Sequence, residues 1–275
     1  MVNQIEFIAE IGINHNGSLD LAKKHIEKAK ESGATIAKFQ TYFTETRTKK
    51  NSPIYEILKK SELKEDDFFQ IKDFCDEVDI EFSSTPFCIK SAELLFKMNC
   101  NTVKIASFHL SNLELLKYII QNSNARRILV STGVSSIPEV LIANETYDLI
   151  NISNKPRLEF MHCISKYPVK NNSDNHLSNI PFLAKLTSKK VGFSDHSLGS
   201  KSAIIATALG ATVIEKHFTI DKYLEGADHS MSAEPSVFKN LVDECKATLE
   251  MLGDLRSDKP FDCEKEIMQY RVETN

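Results

Sequence analysis

The fold is decided by residues 190–219, which read KVGFSDHSLGSKSAIIATALGATVIEKHFT. Two short apolar runs in this stretch are typical of strands and lead into His196 and His217, while the stretch 198–210 between them is typical of a helix. A strand–helix–strand connection makes its two strands parallel neighbours. Both imidazoles are therefore predicted to emerge at the same end of adjacent strands, which is the geometry of a metal site.

The same alternation of strand-like and helix-like segments continues along the chain. One helix is predicted over 19–32, with Ser18 as N-cap and Gly33 as C-cap, and another over 235–252. Repeated strand–helix units favour a closed (β/α)8 TIM barrel, because right-handed crossovers close such a sheet without open edges. A doubly wound α/β sheet is the alternative, but no GxGxxG turn follows the first strand. The eight predicted strands are Ile5–Ile11, Thr35–Thr41, Ile80–Ser84, Thr102–Ala106, Arg127–Ser131, Leu158–Cys163, Lys190–Phe193 and Thr212–His217.

Length and composition predict a single domain. The chain has 275 residues, of which 41% are hydrophobic, and this is enough to fill one barrel core. Beyond residue 252 the sequence changes to charged residues with Gly and Pro, which is typical of a linker. We therefore assign residues 1–252 to the barrel and 253–275 to a C-terminal tail or linker remnant.

Charge and hydropathy argue against several kinds of partner. The 34 Lys and Arg against 38 Asp and Glu give a net charge of −4, so neither nucleic acid nor an anionic membrane is expected as a partner. No apolar run reaches the length of about 20 residues that crosses a bilayer, and the N-terminus lacks the pattern of a signal peptide. These features predict a cytoplasmic protein whose six cysteines, none in CxxC spacing, are reduced.

Polar residues gather where the predicted strands end, and in a barrel of this kind the active site lies at the C-terminal ends of the strands. Lys38 and Lys104 are the most informative of them, because a lysine inside an otherwise buried strand is costly unless it meets an anion. The two lysines predict a pocket for a phosphate or carboxylate, with nearby hydroxyls as donors. The alternative is that they pair with Glu10 or Glu215 inside the barrel.

Seven short motifs follow one another through the predicted barrel. They are FIAEIGINHNG at 7–17, KFQT at 38–41, STPF at 84–87, VKIAS at 103–107, STG at 131–133, SDH at 194–196 and EKHFT at 215–219. Together they resemble the sialic acid synthase (N-acetylneuraminate synthase) family. The resemblance implies a transferase of sialic acid biosynthesis that condenses phosphoenolpyruvate with an N-acetylated hexosamine, releases phosphate, and requires a divalent metal, Mn²⁺ or Mg²⁺.

The resemblance also implies roles for individual side chains. His196 and His217 match the metal ligands of the family. Glu10, Gln40, Tyr167 and Asp228 match positions near the acceptor sugar, where they can bind hydroxyls or transfer protons. The residues implied to hold phosphoenolpyruvate are Lys38, Thr85, Lys104, Ser107, Ser131 and Ser194, with Ser165 as a further donor to phosphate.

One departure from the family pattern bears on catalysis. His109 stands where the family has a carboxylate near the metal and the substrate. We predict that its imidazole takes over a proton-transfer role, because it follows Ser107 by two residues and an extended segment would aim both side chains to the same side. The alternative is that His109 points away and packs on the loop after the fourth strand.

A second departure concerns partners. The antifreeze-like domain that follows the barrel in the family, and reaches over the partner's active site with an arginine, is absent from this sequence. This predicts a homodimer, or a separate chain that carries a lid.

Two other functions stay open at this point. A Schiff-base aldolase on the same barrel would use Lys38 or Lys104 as its nucleophile and would need no metal, and borohydride trapping with substrate would reveal it. A non-catalytic scaffold or sugar sensor is the other, motivated by His109 and by the missing lid. The sequence leaves open which hexosamine is the acceptor and whether it carries a 6-phosphate.

Overall fold

The computed structural model describes residues 5–253 and 259–272 and contains a closed barrel of eight parallel strands. Each strand pairs with the next along the chain, and β1 pairs with β8. The (β/α)8 prediction is confirmed. The strands are β1 Glu6–Gly12, β2 Ile36–Thr41, β3 Glu81–Pro86, β4 Thr102–Ile105, β5 Arg127–Ser131, β6 Arg157–Cys163, β7 Lys190–Asp195 and β8 Val213–His217.

Helices occupy the connections between the strands. The two short helices α2 and α3 precede α4 in the connection between β2 and β3, so this connection is longer than a single crossover helix. The helices are α1 Leu19–Glu31, α2 Thr44–Arg47, α3 Tyr55–Ser61, α4 Glu65–Glu77, α5 Ile89–Lys97, α6 Leu113–Asn122, α7 Ile137–Leu149, α8 Asn179–Thr187, α9 Lys201–Ala208 and α10 Pro235–Leu252.

Helix boundaries agree with the sequence where a cap defines them. Ser18 caps α1 by accepting a hydrogen bond from the Leu21 N–H at 3.2 Å. The C-cap is Ser32 rather than the predicted Gly33, which follows it in the left-handed region at φ +89°. The helix predicted over 198–210 begins only at Lys201, because the side chain of Asp195 accepts hydrogen bonds from the backbone and hydroxyl of Ser197 and shapes the preceding residues into a loop.

The interior of the barrel has an apolar floor beneath a charged layer. One large hydrophobic cluster fills the space between the strands and the surrounding helices. Inside the barrel, a separate small cluster consists of Ile8, Ile36, Leu129, Met161 and Val213. Side chains nearer the C-terminal ends of the same strands are polar and charged, so the floor separates the site from the N-terminal face of the barrel.

The first and last connections of the barrel are fastened to each other. The Asn14 side chain donates hydrogen bonds to the Phe218 carbonyl at 2.8 Å and to the Ser232 hydroxyl at 3.0 Å. The Asn16 side chain donates to the carbonyl of Glu225 at 2.7 Å. These bonds hold the loop after β1 against the loop after β8 beside the mouth of the barrel.

The structure tests only some of the remaining predictions for the chain as a whole. In the described parts of the chain, no helix is long and apolar enough to cross a membrane. All six cysteines are free thiols, as predicted. The predicted linker falls mostly on residues 254–258, and the N-terminal segment considered for targeting includes residues 1–4; both ranges lie outside the described residues. Residues 259–272 form short turns, including 3-10 turns at Asp262–Glu264 and Met268–Tyr270.

Candidate active site

Most of the residues singled out in the sequence line one pocket at the C-terminal mouth of the barrel. Every strand contributes to this pocket directly or through the residues that follow it. Ser165, His109 and Asp228 lie beside the pocket rather than in its lining. The predicted residues that line it are Glu10, Lys38, Gln40, Thr85, Lys104, Ser107, Ser131, Tyr167, Ser194, His196 and His217, and they are joined by Phe87, Ala106, Phe108, Cys163 and Glu215.

The two lysines form a buried charged layer with two glutamates. Lys38 Nζ lies 2.7 Å from Glu10 Oε2 and 3.5 Å from Glu215 Oε2, and Lys104 Nζ lies 2.7 Å from the same Glu215 oxygen. The Lys38 and Lys104 side chains are only 3% and 2% exposed. The lysines therefore pair with the glutamates, as the alternative interpretation of the sequence expected. Both ammonium groups still face the pocket, where an anion can share them.

Burial and neighbouring charges give the two glutamates opposite properties. Burial, together with the charge of Glu215, raises the pKa of Glu10 despite the opposing effect of Lys38. Burial also disfavours the charged form of Glu215, but Lys104 and Lys38 outweigh it and hold the pKa of Glu215 below its usual range. Burial likewise lowers the pKa of Lys104, despite its pairing with Glu215. Glu10 is therefore the carboxyl group of the layer that most readily keeps a proton.

Strand alternation decides which polar residues of β7 and β8 belong to the pocket. Ser194 donates to Glu215 Oε1 at 2.8 Å, and both residues line the pocket. Asp195 and Lys216 are their neighbours in sequence, and they form a separate buried ion pair at 2.8 Å outside the pocket lining. Successive side chains of a strand point to opposite faces, so only alternate residues of the SDH and EKH motifs reach the site.

A cluster of small polar groups surrounds Gly133. A Cβ atom at this glycine would collide with the Ser165 hydroxyl and lie 2.8 Å from both Ser107 Oγ and Cys163 Sγ. The Ser165 hydroxyl is buried and has no hydrogen-bond partner, while Ser107 Oγ lies 3.1 Å from Cys163 Sγ. The missing side chain thus lets these polar groups pack closely around Gly133, and the Ser165 hydroxyl remains an unused donor beside the pocket.

The two histidines lie together at the ends of β7 and β8, as predicted. Their ring centres are 5.7 Å apart, and the Tyr167 ring centre lies 4.2 Å from that of His196. Burial lowers the pKa of His196 and lowers that of His217 to about 4, so both imidazoles are neutral at physiological pH. Burial also raises the pKa of Tyr167, so its phenol keeps its proton.

Hydrogen bonding leaves the histidines suited to a metal ion. His196 Nδ1 lies 2.7 Å from the Ile164 carbonyl, which fixes Nδ1 as the protonated nitrogen and leaves the lone pair on Nε2. His217 Nδ1 is buried without a hydrogen-bond partner and lies 3.9 Å from Asp228 Oδ2. Within residues 5–253 and 259–272, no group of three or more His, Cys, Asp or Glu side chains has the geometry of a metal site. Two neutral imidazoles, one with a free lone pair on Nε2, could act as metal ligands and would leave the remaining coordination positions open.

Glu10 and Gln40 form one wall of the pocket. The Gln40 side chain donates to Glu10 Oε1 at 3.3 Å and accepts a hydrogen bond from Arg47 Nη1 at 3.0 Å. A bulge in β1 brings this pair together, since the register with β2 shifts between Glu10 and Gly12. Gly12 takes φ +57° there, a conformation that other residues rarely adopt.

The extended geometry predicted for residues 107–109 is wrong. Ser107–His109 forms a turn of 3-10 helix, so the two side chains do not share one face of a strand. The half-buried His109 ring packs edge-to-face on Phe87, with ring centres 5.5 Å apart, while Phe108 takes the place in the pocket lining. Burial and the nearby charge of Arg47 lower the pKa of His109. The geometry favours packing over proton transfer for this residue.

We accordingly expect His109→Ala to lower turnover by less than about tenfold, since the role of general acid or base is typically worth about 10²–10⁴-fold. The acid limb of the pH–rate profile should stay in place in this variant. Steady-state kinetics between pH 5 and 9 would check both points. A fall of 100-fold or more, with a displaced acid limb, would restore the proton-transfer role.

Two site residues were missed or undervalued from the sequence. Glu215 was considered only as a possible partner of a lysine, yet it joins both lysines and Ser194. Its position two residues before His217 on the same strand was the available signal. Arg47 was not singled out at all, because it lies in the long connection after β2 and belongs to no motif.

A closed barrel whose C-terminal mouth holds two buried lysines paired with glutamates, beside two neutral histidines, has the arrangement of an enzyme active site. Comparison with known proteins identifies the family to which this enzyme belongs. The NeuB family profile matches residues 25–257, and the chain belongs to this family.

Individual relatives agree with this assignment. The chain is 37% identical over 272 residues to the N,N'-diacetyllegionaminic acid synthase of Legionella pneumophila, covering 94% of this chain and 75% of the relative. It is 39% identical over 246 residues to an uncharacterized protein of Methanocaldococcus jannaschii, covering 90% and 71%. The crystal structure of the N-acetylneuraminic acid synthetase of Leptospira borgpetersenii with citrate superimposes with a TM-score of 0.91 at 33% identity, covering 98% of this chain and 92% of that one. The chain is therefore an enzyme of the same synthase class.

Proposed function

We propose that this enzyme condenses phosphoenolpyruvate with an N-acetylated hexosamine similar to N-acetylmannosamine, and that it releases phosphate and a nonulosonic (sialic) acid. The observation that carries the proposal is the pocket itself. It combines two buried lysines and a set of hydroxyls with two neutral histidines, in a barrel of the NeuB family.

The anionic substrate is assigned to the deep side of the pocket. Lys38 and Lys104 supply the positive charge that a phosphate and a carboxylate need, and Thr85, Ser131 and Ser194 supply neutral donors. Ser107 in the lining and Ser165 beside it can add donors to a phosphate group, since the Ser165 hydroxyl has no other partner.

A divalent metal, Mn²⁺ or Mg²⁺, fits the two histidines. Both imidazoles are neutral, and the orphaned His217 Nδ1 shows that the hydrogen-bonding capacity of the pair is incomplete in the protein alone. When bound, such an ion supplies Lewis-acid polarisation of the acceptor's aldehyde oxygen. Asp228 and Tyr167 stand beside the histidines, where they can bind the hydroxyls of the acceptor.

The chemistry follows from these positions. Carbon 3 of phosphoenolpyruvate forms a bond to the aldehyde carbon, and positive charge develops at carbon 2, where water adds. The hydroxyl group formed at carbon 2 then becomes the keto group of the product as phosphate leaves with cleavage of its C–O bond, and the proton that water loses balances the proton gained by the former aldehyde oxygen. Lys38 and Lys104 orient the enol and stabilise the anionic groups throughout. Glu10, whose raised pKa lets it keep a proton, is suited to protonate the oxygen of the former aldehyde.

An assay for phosphate release from phosphoenolpyruvate tests this proposal. The purified chain would be incubated with Mn²⁺ and a panel of acceptors: N-acetylmannosamine, its 6-phosphate, and a hexosamine with two acetamido groups, followed by mass analysis of the product. We expect phosphate and a nine-carbon acid with one of them. A product trapped on lysine by borohydride would instead establish the Schiff-base aldolase, and sugar binding without any turnover would establish the non-catalytic alternative.

Gly133→Ala should raise the Michaelis constant for phosphoenolpyruvate by one to two orders of magnitude, because overpacking a filled site costs about 1–3 kcal/mol. The added methyl group would collide with the Ser165 hydroxyl and push the Ser107 hydroxyl out of its place in the pocket lining. Val134→Ala is the matched control, since Val134 is the next residue of the same turn and its side chain is 66% exposed outside the pocket. Equal Michaelis constants for Gly133→Ala and the wild type would contradict the assignment of the Ser107 and Ser165 hydroxyls to phosphate.

We further propose that residues 1–252 act as the synthase domain, with 253–275 as a tail, and that the domain works as a homodimer or with a lid-bearing chain. The exposed apolar side chains around the pocket mouth support a covering partner, since Phe108 is 70% exposed and Tyr223 is 83% exposed. Light scattering of the purified chain at several concentrations would separate a dimer from a monomer that needs another protein.

A further inference from the structure

An arginine stands behind the Glu10–Gln40 wall without a carboxylate to pair with. Arg47 ends α2, and its guanidinium carbon lies 3.7 Å from the ring centre of Phe87 and 4.6 Å from that of Tyr42. Burial lowers the pKa of Arg47. Among the described residues, no carboxylate forms an ion pair with Arg47, and its side chain makes one hydrogen bond, from Nη1 to Gln40 Oε1 at 3.0 Å.

This hydrogen bond decides how the Gln40 amide is oriented. An amide can exchange its oxygen and nitrogen by rotating half a turn, and guanidinium groups only donate hydrogen bonds. Gln40 Oε1 must therefore face Arg47, which directs Gln40 Nε2 toward Glu10 Oε1 at 3.3 Å. The opposite orientation would set N–H groups against N–H groups and leave the guanidinium without its acceptor.

Aromatic packing holds the guanidinium in place. Phe87 lies on one side of the guanidinium and lines the pocket, and the Tyr42 hydroxyl donates to the Leu58 carbonyl at 3.0 Å, which fixes its ring. Stacking of this kind suits the planar guanidinium of arginine. The Gln40 amide is thus oriented by a residue that is itself restrained by its neighbours.

We propose that Arg47 is a positioning residue that locks the Gln40 amide with its N–H groups toward the pocket, so that the acceptor site selects an N-acetylated hexosamine over one with a free amino group. The inference rests on the proposed function and names the substrate feature that this wall recognises. Gln40 Nε2 has a second N–H beyond the one given to Glu10, and the carbonyl oxygen of an acetamido group can accept it. An ammonium group at the same place would face the N–H groups of Gln40, beside the charge of Arg47.

Arg47→Met tests the proposal, with Lys49→Met as a matched control that removes a positive charge from an exposed position two residues away. In Arg47→Met, the Michaelis constant for N-acetylmannosamine should rise about tenfold, as for a lost buried hydrogen bond, while that for phosphoenolpyruvate stays within about twofold. The preference for N-acetylmannosamine over mannosamine should fall by a similar factor. Arg47→Lys should recover part of the preference, because one N–H donor is enough to face Gln40 Oε1.

A double-mutant comparison separates positioning from direct contact. In a Gln40→Ala background, Arg47→Met should no longer change the preference between the two sugars. An undiminished change in that background would overturn the proposal. Equal effects of Arg47→Met and Lys49→Met on the preference would overturn it as well. Calorimetric binding of both sugars in the presence of Mn²⁺ but without phosphoenolpyruvate repeats the comparison independently of turnover.

A wild type that binds N-acetylmannosamine selectively yet releases no phosphate would refute the proposed reaction and leave the role of Arg47 supported. If the wild type is active and Arg47→Met has the same preference between the two sugars, the proposed reaction is supported and the role of Arg47 is refuted.

Discussion

Lys104→Met is expected to abolish saturable binding of phosphoenolpyruvate and to destabilise the barrel by about 3–5 kcal/mol, as does the loss of one partner from a buried ion pair. The side chain of Lys104 is 2% exposed and its ammonium lies 2.7 Å from Glu215 Oε2. Removing it eliminates one of the two cations of the pocket and leaves the Glu215 carboxylate buried with Lys38 as its remaining cation, 3.5 Å away. Binding and stability should therefore both suffer, for different reasons.

Two further variants separate these effects. Lys104→Met combined with Glu215→Gln should regain stability in urea unfolding, because no unpaired carboxylate is left, but should not regain the substrate. Lys216→Met breaks a buried ion pair with Asp195 outside the pocket, so it should cost comparable stability and keep affinity for phosphoenolpyruvate. Unchanged phosphoenolpyruvate affinity in a folded Lys104→Met would remove this lysine from the anion site.

His217→Ala should lower the affinity for Mn²⁺ by about 100-fold or more, since loss of an outer-shell partner alone typically costs 10–100-fold, and should abolish metal-dependent turnover. The imidazole is buried at the end of β8, and its pKa of about 4 means that it is already deprotonated for ligation at neutral pH. Titration calorimetry with Mn²⁺ measures the effect, and circular dichroism checks that the barrel remains folded.

His25→Ala provides the comparison for this experiment. His25 is as deeply buried as any histidine of the chain and its pKa is also lowered to about 4, but it lies on α1 and does not line the pocket. Its loss should leave Mn²⁺ affinity unchanged. If both variants bind Mn²⁺ as tightly as the wild type, His217 is not a metal ligand.

The fold was predictable because its signals are local and repeated. Each strand–helix unit carries its own periodicity, and the eight predicted strands all exist, with ends displaced by up to two residues. The histidine pair was predictable because each histidine closes a strand-like run, and neighbouring parallel strands end at the same edge of the sheet. The pairing of Glu215 with both lysines was not, because it joins three strands whose register the sequence does not state.

The remaining errors arise where the chain leaves regular structure. His109 was misplaced because the backbone turns into a 3-10 helix directly after β4, which ends the alternation on which the prediction relied. Arg47 was missed because its contacts with Gln40 and Phe87 depend on how the long connection after β2 folds over the mouth. Loops without periodicity carry function in barrels of this kind, and pattern alone does not orient their side chains.

The fastening of the loop after β1 to the loop after β8 ties activity to the completion of folding. Glu10 and Gln40 come from the start of the chain and the two histidines from β7 and β8, so the proposed acceptor side is complete only once β1 has paired with β8. A nascent chain that has emerged only as far as β6 holds most of the hydroxyls proposed to bind phosphate but lacks both histidines and the Asn14 contacts that join the two ends. During synthesis, the enzyme therefore cannot begin to consume its acceptor before the last strand closes the ring.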